Sequence, residues 1–371
     1  MSPAPVAIVR CDSYERAEVE DALARAVDLL GGAETLLPAS PSLLLKPNFL
    51  YASRREKRVN TDPEVVRAAA RIFGHRAQRL VFGDSPAVES ARRVARTCGL
   101  TGALEGLDVE PVAFSSPVTV SGATVKSVPL AREALENGPV INLAKFKTHG
   151  MMRLTMAVKN LFGCVPGLRK SGMHLRAGED RQAFADILVN VAMNVPASLH
   201  VLDAVVAMEG NGPGSGDPRP IGALLASPDP VALDRVACSL VGVPPEEIFL
   251  FEAAERAGFG EADLAKIEIL GDDPKAFAVG DFKPADPESI LGFLPLPRPV
   301  MRWVRRLWTP KPVVDARRCK ACGACARACP ADAIRFRPGE PPVIDRGRCV
   351  RCFCCQEICP EGAIRLRRGL R

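Results

Sequence analysis

Over the first 285 residues, short apolar runs alternate with segments of helical period. "PVAIVR" leads to the amphipathic "ERAEVEDALARAVDLLGG", which stops at Gly31 and Gly32. "SLLL" is followed by "PEVVRAAARIFG", a helix with Thr61 or Asp62 as its cap and Pro63 in its first turn. "RLVF" precedes "VESARRVARTCG", "GPVINLAKFKTHG" and "LHVLDAVV" read as buried strands, and "IGALLASPDP" runs into the helix "VALDRVACSLVG". This alternation predicts an α/β domain over 1–285, a mostly parallel sheet with flanking helices.

The pattern changes at 286–312, a Pro-rich linker. There Val300, Met301, Val304, Leu307 and Trp308 share one helical face, with Arg302, Arg305 and Arg306 opposite. So short a stripe buries little area in lipid, so docking between domains is expected, with membrane contact as the alternative. No apolar run approaches the length that spans a bilayer, and no basic segment followed by an apolar one opens the sequence. The expected location is the cytoplasm.

Composition adds one large asymmetry. Nine of the 13 cysteines lie between 319 and 359, in a chain of 371 residues with a core of ordinary size. Dense cysteine in such a chain points to metal rather than disulfides. The spacing Cys319-x2-Cys322-x2-Cys325-x3-Cys329-Pro330 recurs as Cys349-x2-Cys352-x2-Cys355-x3-Cys359-Pro360. This is the run of two-cluster bacterial ferredoxins, in which each fourth cysteine ligates the other cluster. One [4Fe-4S] cluster then takes Cys319, Cys322, Cys325 and Cys359, and the other Cys349, Cys352, Cys355 and Cys329. Zinc ribbons, the competing class, use paired C-x2-C motifs and have no need of this spacing twice. Cys354 is left over as a spare thiol. Residues 313–371 are thus expected to form a small ferredoxin-like α+β module with two [4Fe-4S] clusters.

The positive charge belongs to this tail: residues 311–371 hold 14 Lys and Arg against 6 Asp and Glu, whereas the whole chain is only +6. Basic side chains beside the ligands favour the reduced, more negative cluster and suit an acidic redox partner, such as a ferredoxin or flavodoxin. Nucleic acid is not expected, because the aromatic residues on which single strands stack are missing.

Polar residues recur where predicted strands end: Lys46 and Asn48 after "SLLL", Asp84 and Ser85 after "RLVF", Lys145, Lys147 and His149 after "VINLA". Ligands of open α/β sheets bind beyond the carboxyl ends of strands, so these groups predict one cationic pocket for a small anionic ligand. Lys46, Lys145 and Lys147 would hold the anion, and His149, Lys159 or Asp84 would move protons. The Gly-rich "EGNGPGSGDP" lacks the P-loop signature and is expected as a lid, an anion nest or a connection. His174 lies near the site, whereas His75 and His200 are expected to be structural.

"KPNF", "GDSP", "INLAKFKTHGMMRLTMAVKNLFGCVPG" and "SPDPVALDRVACSLVG" together resemble the family called domain of unknown function 362, over roughly residues 5–275, often fused to a ferredoxin module. The resemblance implies no activity, but it points to Lys145, Lys147, His149, Lys159 and Asn160. The expected function is an oxidoreductase relaying single electrons between an external carrier and a small anion or cofactor in the α/β domain. A non-enzymatic electron carrier, an assembly factor or a redox sensor is the alternative.

Overall fold

The structure, a computed structural model, describes residues 3–178, 180–285 and 310–367. The amphipathic stripe expected at 300–308 lies outside the described residues.

The α/β domain contains β1 (Ala4–Arg10), β2 (Ser40–Pro47), β3 (Ala77–Phe82), β4 (Val109–Pro111), β5 (Pro117–Ser121), β6 (Ser127–Ala131), β7 (Val140–His149), β8 (Arg153–Thr155), β9 (Ala197–Glu209), β10 (Asp217–Ser227) and β11 (Ile267–Gly271). Nine of them form one sheet in the order β11-β1-β10-β9-β7-β2-β3-β4, with β8 added to β7, while β5 and β6 pair separately. Pairing is parallel except for β10, antiparallel to both β1 and β9, and β8, antiparallel to β7. The sheet is therefore mixed but mostly parallel.

Alternation along the strands divides the core into two layers. Val6, Ile8, Leu44, Val140, Ala144 and Phe146 pack with the helices Arg181–Met193 and Pro230–Leu240. Ala7, Val9, Leu43, Leu45, Ile141 and Leu143 pack with the helices Arg16–Leu29 and Pro63–Phe73. A sheet covered on both faces needs strands without a solvent side, and all ten residues of β7 are buried. Helix starts follow the sequence: Asp62 accepts from the Glu64 amide ahead of Pro63, and Asp229 caps Pro230–Leu240 through the Val231 and Ala232 amides.

The C-terminal module pairs β12 (Lys311–Val314) with β15 (Ile364–Arg367), and β13 (Ile334–Arg335) with β14 (Val343–Ile344). The one-turn helices Ala324–Arg327 and Cys354–Glu357 occupy equivalent places in the two cysteine runs.

Candidate functional site

The eight spaced cysteines surround two cavities. Cys319, Cys322, Cys325 and Cys359 line one, and Cys329, Cys349, Cys352 and Cys355 line the other. Each cavity thus receives three thiols from one run and the fourth from the other. Four thiols around a small, mostly apolar space suit a [4Fe-4S] cluster. Among the described residues no three His, Cys, Asp or Glu are grouped tightly enough for a single metal ion.

The strand-end residues gather at one end of the sheet, but most are engaged with internal partners. Lys46 Nζ lies 3.2 Å from Asp84 Oδ1 and donates to the Pro47 carbonyl at 3.1 Å. Asp84 is held in turn by the amides of Phe49 and Ser85 at 2.7 and 2.8 Å. Lys145 Nζ pairs with Asp203 Oδ2 at 2.8 Å and donates to the Tyr14 hydroxyl at 2.7 Å. Burial lowers the Lys145 pKa against the pull of Asp203. Lys147 Nζ donates to Asn48 Oδ1 at 2.5 Å and to the Val59 carbonyl at 2.7 Å. Burial, with Lys159 and Lys145 nearby, drives its pKa well down.

These contacts continue as a buried chain of amides. Asn48 donates to Asn160 Oδ1 at 2.9 Å, Asn160 to Asn142 Oδ1 at 2.8 Å, and the Asn142 amide meets His200 Nδ1 at 2.9 Å. In a low-dielectric interior such a satisfied network fixes its members. His200 is structural, as expected. Asn160 and Lys159 sit on the short helix Ala157–Asn160, whose first amides are accepted by the buried Asp234 at 2.7 and 3.1 Å. Asp234, from the "SPDPVALD" segment, thereby sets where Lys159 stands.

His149 ends β7. Its Nδ1 accepts from the Met151 and Met152 amides at 3.0 and 3.1 Å, which leaves the proton on Nε2. Nε2 lies 3.1 Å from Glu357 Oε1, a side chain of the cysteine module. Burial pushes the His149 pKa down to about 4, with Lys159 adding to the effect. Burial acts upward on Glu357, but His149 and the Lys159 ammonium outweigh it and hold the carboxyl below its ordinary range. The contact is that of a neutral imidazole with a carboxylate.

A third cavity, of about 100 Å³, opens between the two domains. That is several times the space one water needs. Asn48, Asp84, Ser85, Lys159, Asn160, Lys170 and His174 line it from the α/β domain, and Ala328, Cys354, Glu357 and Ile358 from the cysteine module. Of the residues expected in a pocket, Asn48, Asp84, Ser85, Lys159 and Asn160 reach this cavity, whereas Lys46, Lys145, Lys147 and His149 do not line it. Lys170 donates to the Ser85 carbonyl, and burial lowers its pKa to about 8. The His174 ring is clamped by Phe184 at 4.2 Å and Phe162 at 5.8 Å. Its Nδ1 has no hydrogen-bond partner among the described residues, and burial lowers its pKa to about 4.

Gly163 lies against the floor of this site. A Cβ there would stand 1.9 Å from Asp84 Oδ1 and 2.5 Å from Lys46 Nζ. The glycine of "NLFG" is therefore required by the ion pair.

The Gly-rich loop is a docking seam. Gln356 of the cysteine module donates to Asn211 Oδ1 at 2.9 Å and to the Gly212 carbonyl at 3.2 Å. The Ser215 hydroxyl donates to the Cys359 carbonyl at 3.0 Å, and Tyr51 donates to the Gly214 carbonyl. At Gly212 a Cβ would meet the Thr148 carbonyl at 2.3 Å, so the loop can lie on the end of β7 only without a side chain there. Glu357, Gln356, Lys170 and Asp203 were not singled out by sequence. For Glu357 a signal exists: its counterpart in the first cysteine run is Arg327.

Fold and thiol cavities define a class, an α/β domain joined to a two-cluster iron–sulfur module. The chain belongs to the family described as Domain of unknown function (DUF362), whose model matches residues 43–239. A 4Fe-4S dicluster domain matches 318–363, so the protein carries two [4Fe-4S] clusters and its module is one of electron transfer. A Synechocystis sp. protein named thylakoid-associated protein is 37% identical over 279 residues, 75% of this chain and 87% of its own. Among solved structures, a Thermotoga maritima protein is similar at TM-score 0.39 and 10% identity, covering 57% of this chain and 55% of its own. The lactate racemase apoprotein from Thermoanaerobacterium thermosaccharolyticum is similar at TM-score 0.39 and 9% identity, covering 62% of this chain and 55% of its own. The matched region thus spans about half the length of those two proteins. No helix among the described residues is long and apolar enough to cross a membrane.

Proposed function

We propose that the protein is an oxidoreductase that exchanges single electrons between an external carrier and a small anionic ligand held in the cavity between the two domains. One observation carries this: the same cavity is walled by strand-end groups of the α/β domain and by Cys354, Glu357 and Ile358 of the second cysteine run. The clusters supply one-electron exchange. We assign Cys319, Cys322, Cys325 and Cys359 to one and Cys349, Cys352, Cys355 and Cys329 to the other, on the lining of the two thiol cavities.

The chain's other residues bind and orient. Lys159 and Lys170 hold the anion, because they are the cationic side chains lining this cavity. Lys46, Lys145 and Lys147 act from behind, fixing Asp84, Asp203 and Asn48. The carrier is a small acidic redox protein, favoured by the basic surplus of the module. The thirteen cysteines are all unpaired in the structure, which suits the reducing cytoplasm.

The test is a comparison of small molecules released from parent and Lys159→Gln protein, both purified without oxygen. Losing one charge-assisted hydrogen bond costs about 1.5–3 kcal/mol, roughly ten- to hundredfold in affinity. The variant should keep its iron and release correspondingly less of an anionic compound. Equal amounts from both proteins would reject Lys159 as its anchor.

A further inference from the structure

The two cysteine runs are near copies, so each position in one has a counterpart in the other. Their surroundings differ. In the second run Cys352, Phe353, Cys354, Gln356 and Glu357 are all buried, and Gln356 and Glu357 engage Asn211, Gly212 and His149 of the α/β domain. In the first run the counterparts Cys322 and Arg327 are exposed, as are Arg317, Arg318 and Lys320. Ala324 and Ala328 are the exceptions, packed with Tyr51, Val59 and Met208 of the α/β domain.

These four cations also lack an acidic partner. Among the described residues none of Arg317, Arg318, Lys320 and Arg327 has a carboxylate within ion-pair distance, although other arginines of the protein do. Arg327 is fixed at the rim, donating to the Cys322 carbonyl at 3.2 Å. Lys320 lines the first thiol cavity, where Glu361 is the one carboxylate. Exposed cations without a carboxylate partner can meet an anionic surface without first breaking an ion pair.

We propose that the exposed side of the first run, with Lys320 and Arg327 beside Cys322 and Arg317 and Arg318 just ahead of Cys319, is the docking surface for a small acidic protein that carries one electron. The stretch 352–357 of the second run is packed against the α/β domain, and its counterparts Cys322 and Arg327 are left for the carrier. One electron leaves the reduced carrier and this chain takes it up; no bond changes and no proton moves. The inference rests on the electron-transfer module and not on the identity of the cavity's ligand, so it stands or falls separately from Lys159.

The experiment uses the full chain with both clusters, under anaerobic conditions, and an acidic bacterial ferredoxin as probe. Binding between the two oxidised proteins is measured by calorimetry, and reduction of the chain by the reduced ferredoxin is followed by stopped flow. Arg317→Glu/Lys320→Glu, which leaves the Arg327 hydrogen bond intact, should bind and be reduced at least about tenfold more weakly at low salt, with the difference closing as salt rises. Its iron content and its reduction by dithionite should equal the parent's. Should the double variant lose iron, Arg318→Glu is read in the same two assays with the same expectation. Lys266→Glu, before the edge strand β11, should behave as parent. Unchanged binding and reduction in the charge-reversed protein would overturn the proposal. So would retention on vesicles of anionic phospholipid, lost on charge reversal, with no ferredoxin binding: the face would then belong to a lipid surface.

Discussion

Gly163→Ala adds a single methyl group at the point where the α/β core meets the ligand cavity. Its Cβ would lie 1.9 Å from Asp84 Oδ1, 2.5 Å from Lys46 Nζ and 2.9 Å from Asp84 Cγ. Asp84 cannot simply withdraw, because two backbone amides hold its oxygens. Lys46 cannot reach water, because its side chain is 0% exposed. The methyl therefore separates a buried ion pair, and an uncompensated buried charge costs about 3–5 kcal/mol. In a domain of this size that is a fall of roughly 5–8 °C in Tm. Gly172→Ala is the matched control. It lies in the helix Arg169–Ala177 with nothing within 4 Å of its Cβ, and should be neutral or slightly stabilising, by about 0.4–1 kcal/mol. Circular dichroism melts of parent and both variants, with iron assayed in parallel, make the comparison. If Gly163→Ala melts with Gly172→Ala, the Lys46–Asp84 pair does not organise this corner of the fold.

Cys354→Ser should leave about eight irons per chain, by iron and acid-labile sulfide assay; loss of a cluster would make Cys354 a ligand. Gln356→Ala removes two hydrogen bonds across the seam, and a buried bond is worth about 0.5–1.5 kcal/mol. Limited proteolysis should then cut the Gly-rich loop faster, and an unchanged pattern would separate the seam from Gln356. Acid should destabilise the fold. His149 and His174 sit at about 4 and His200 at about 3, each below the ordinary 6.5, so the unfolded chain takes up protons that the folded one refuses. Their stabilisation is complete above pH 6.5 and lost as pH falls toward 4. Asp234, raised to about 8 by burial, runs the opposite way and offsets one of the three. Urea unfolding should show a net loss of about 2–3 kcal/mol per pH unit below 6.5; a flat profile would mean that the histidines are protonated in the fold.

The strands and helix caps were legible because burial on both faces leaves near-continuous apolar runs, and because Asp62-Pro63 and Asp229-Pro230 announce helix starts. The clusters were legible because ligand spacing is a local property of the chain. The antiparallel course of β10 was not, since apolar content does not encode strand direction. Nor were the partners of the lysines. Asp203 stands opposite Lys145 in the register of β7 and β9, 58 positions along the chain, and no local pattern joins them. The strand-end rule gathered these residues at one end of the sheet but could not say which of them face the cavity. That depends on the cysteine module, whose docking is written in the few places where its second run departs from its first.

The most direct test of the account is reoxidation of the chemically reduced protein by cell extract separated by charge and size, without oxygen. The small-molecule anionic fraction should reoxidise the parent, and Lys159→Gln, with full iron, should respond at least about tenfold more slowly. Equal rates in the two proteins, or reoxidation by macromolecular fractions alone, would contradict the account.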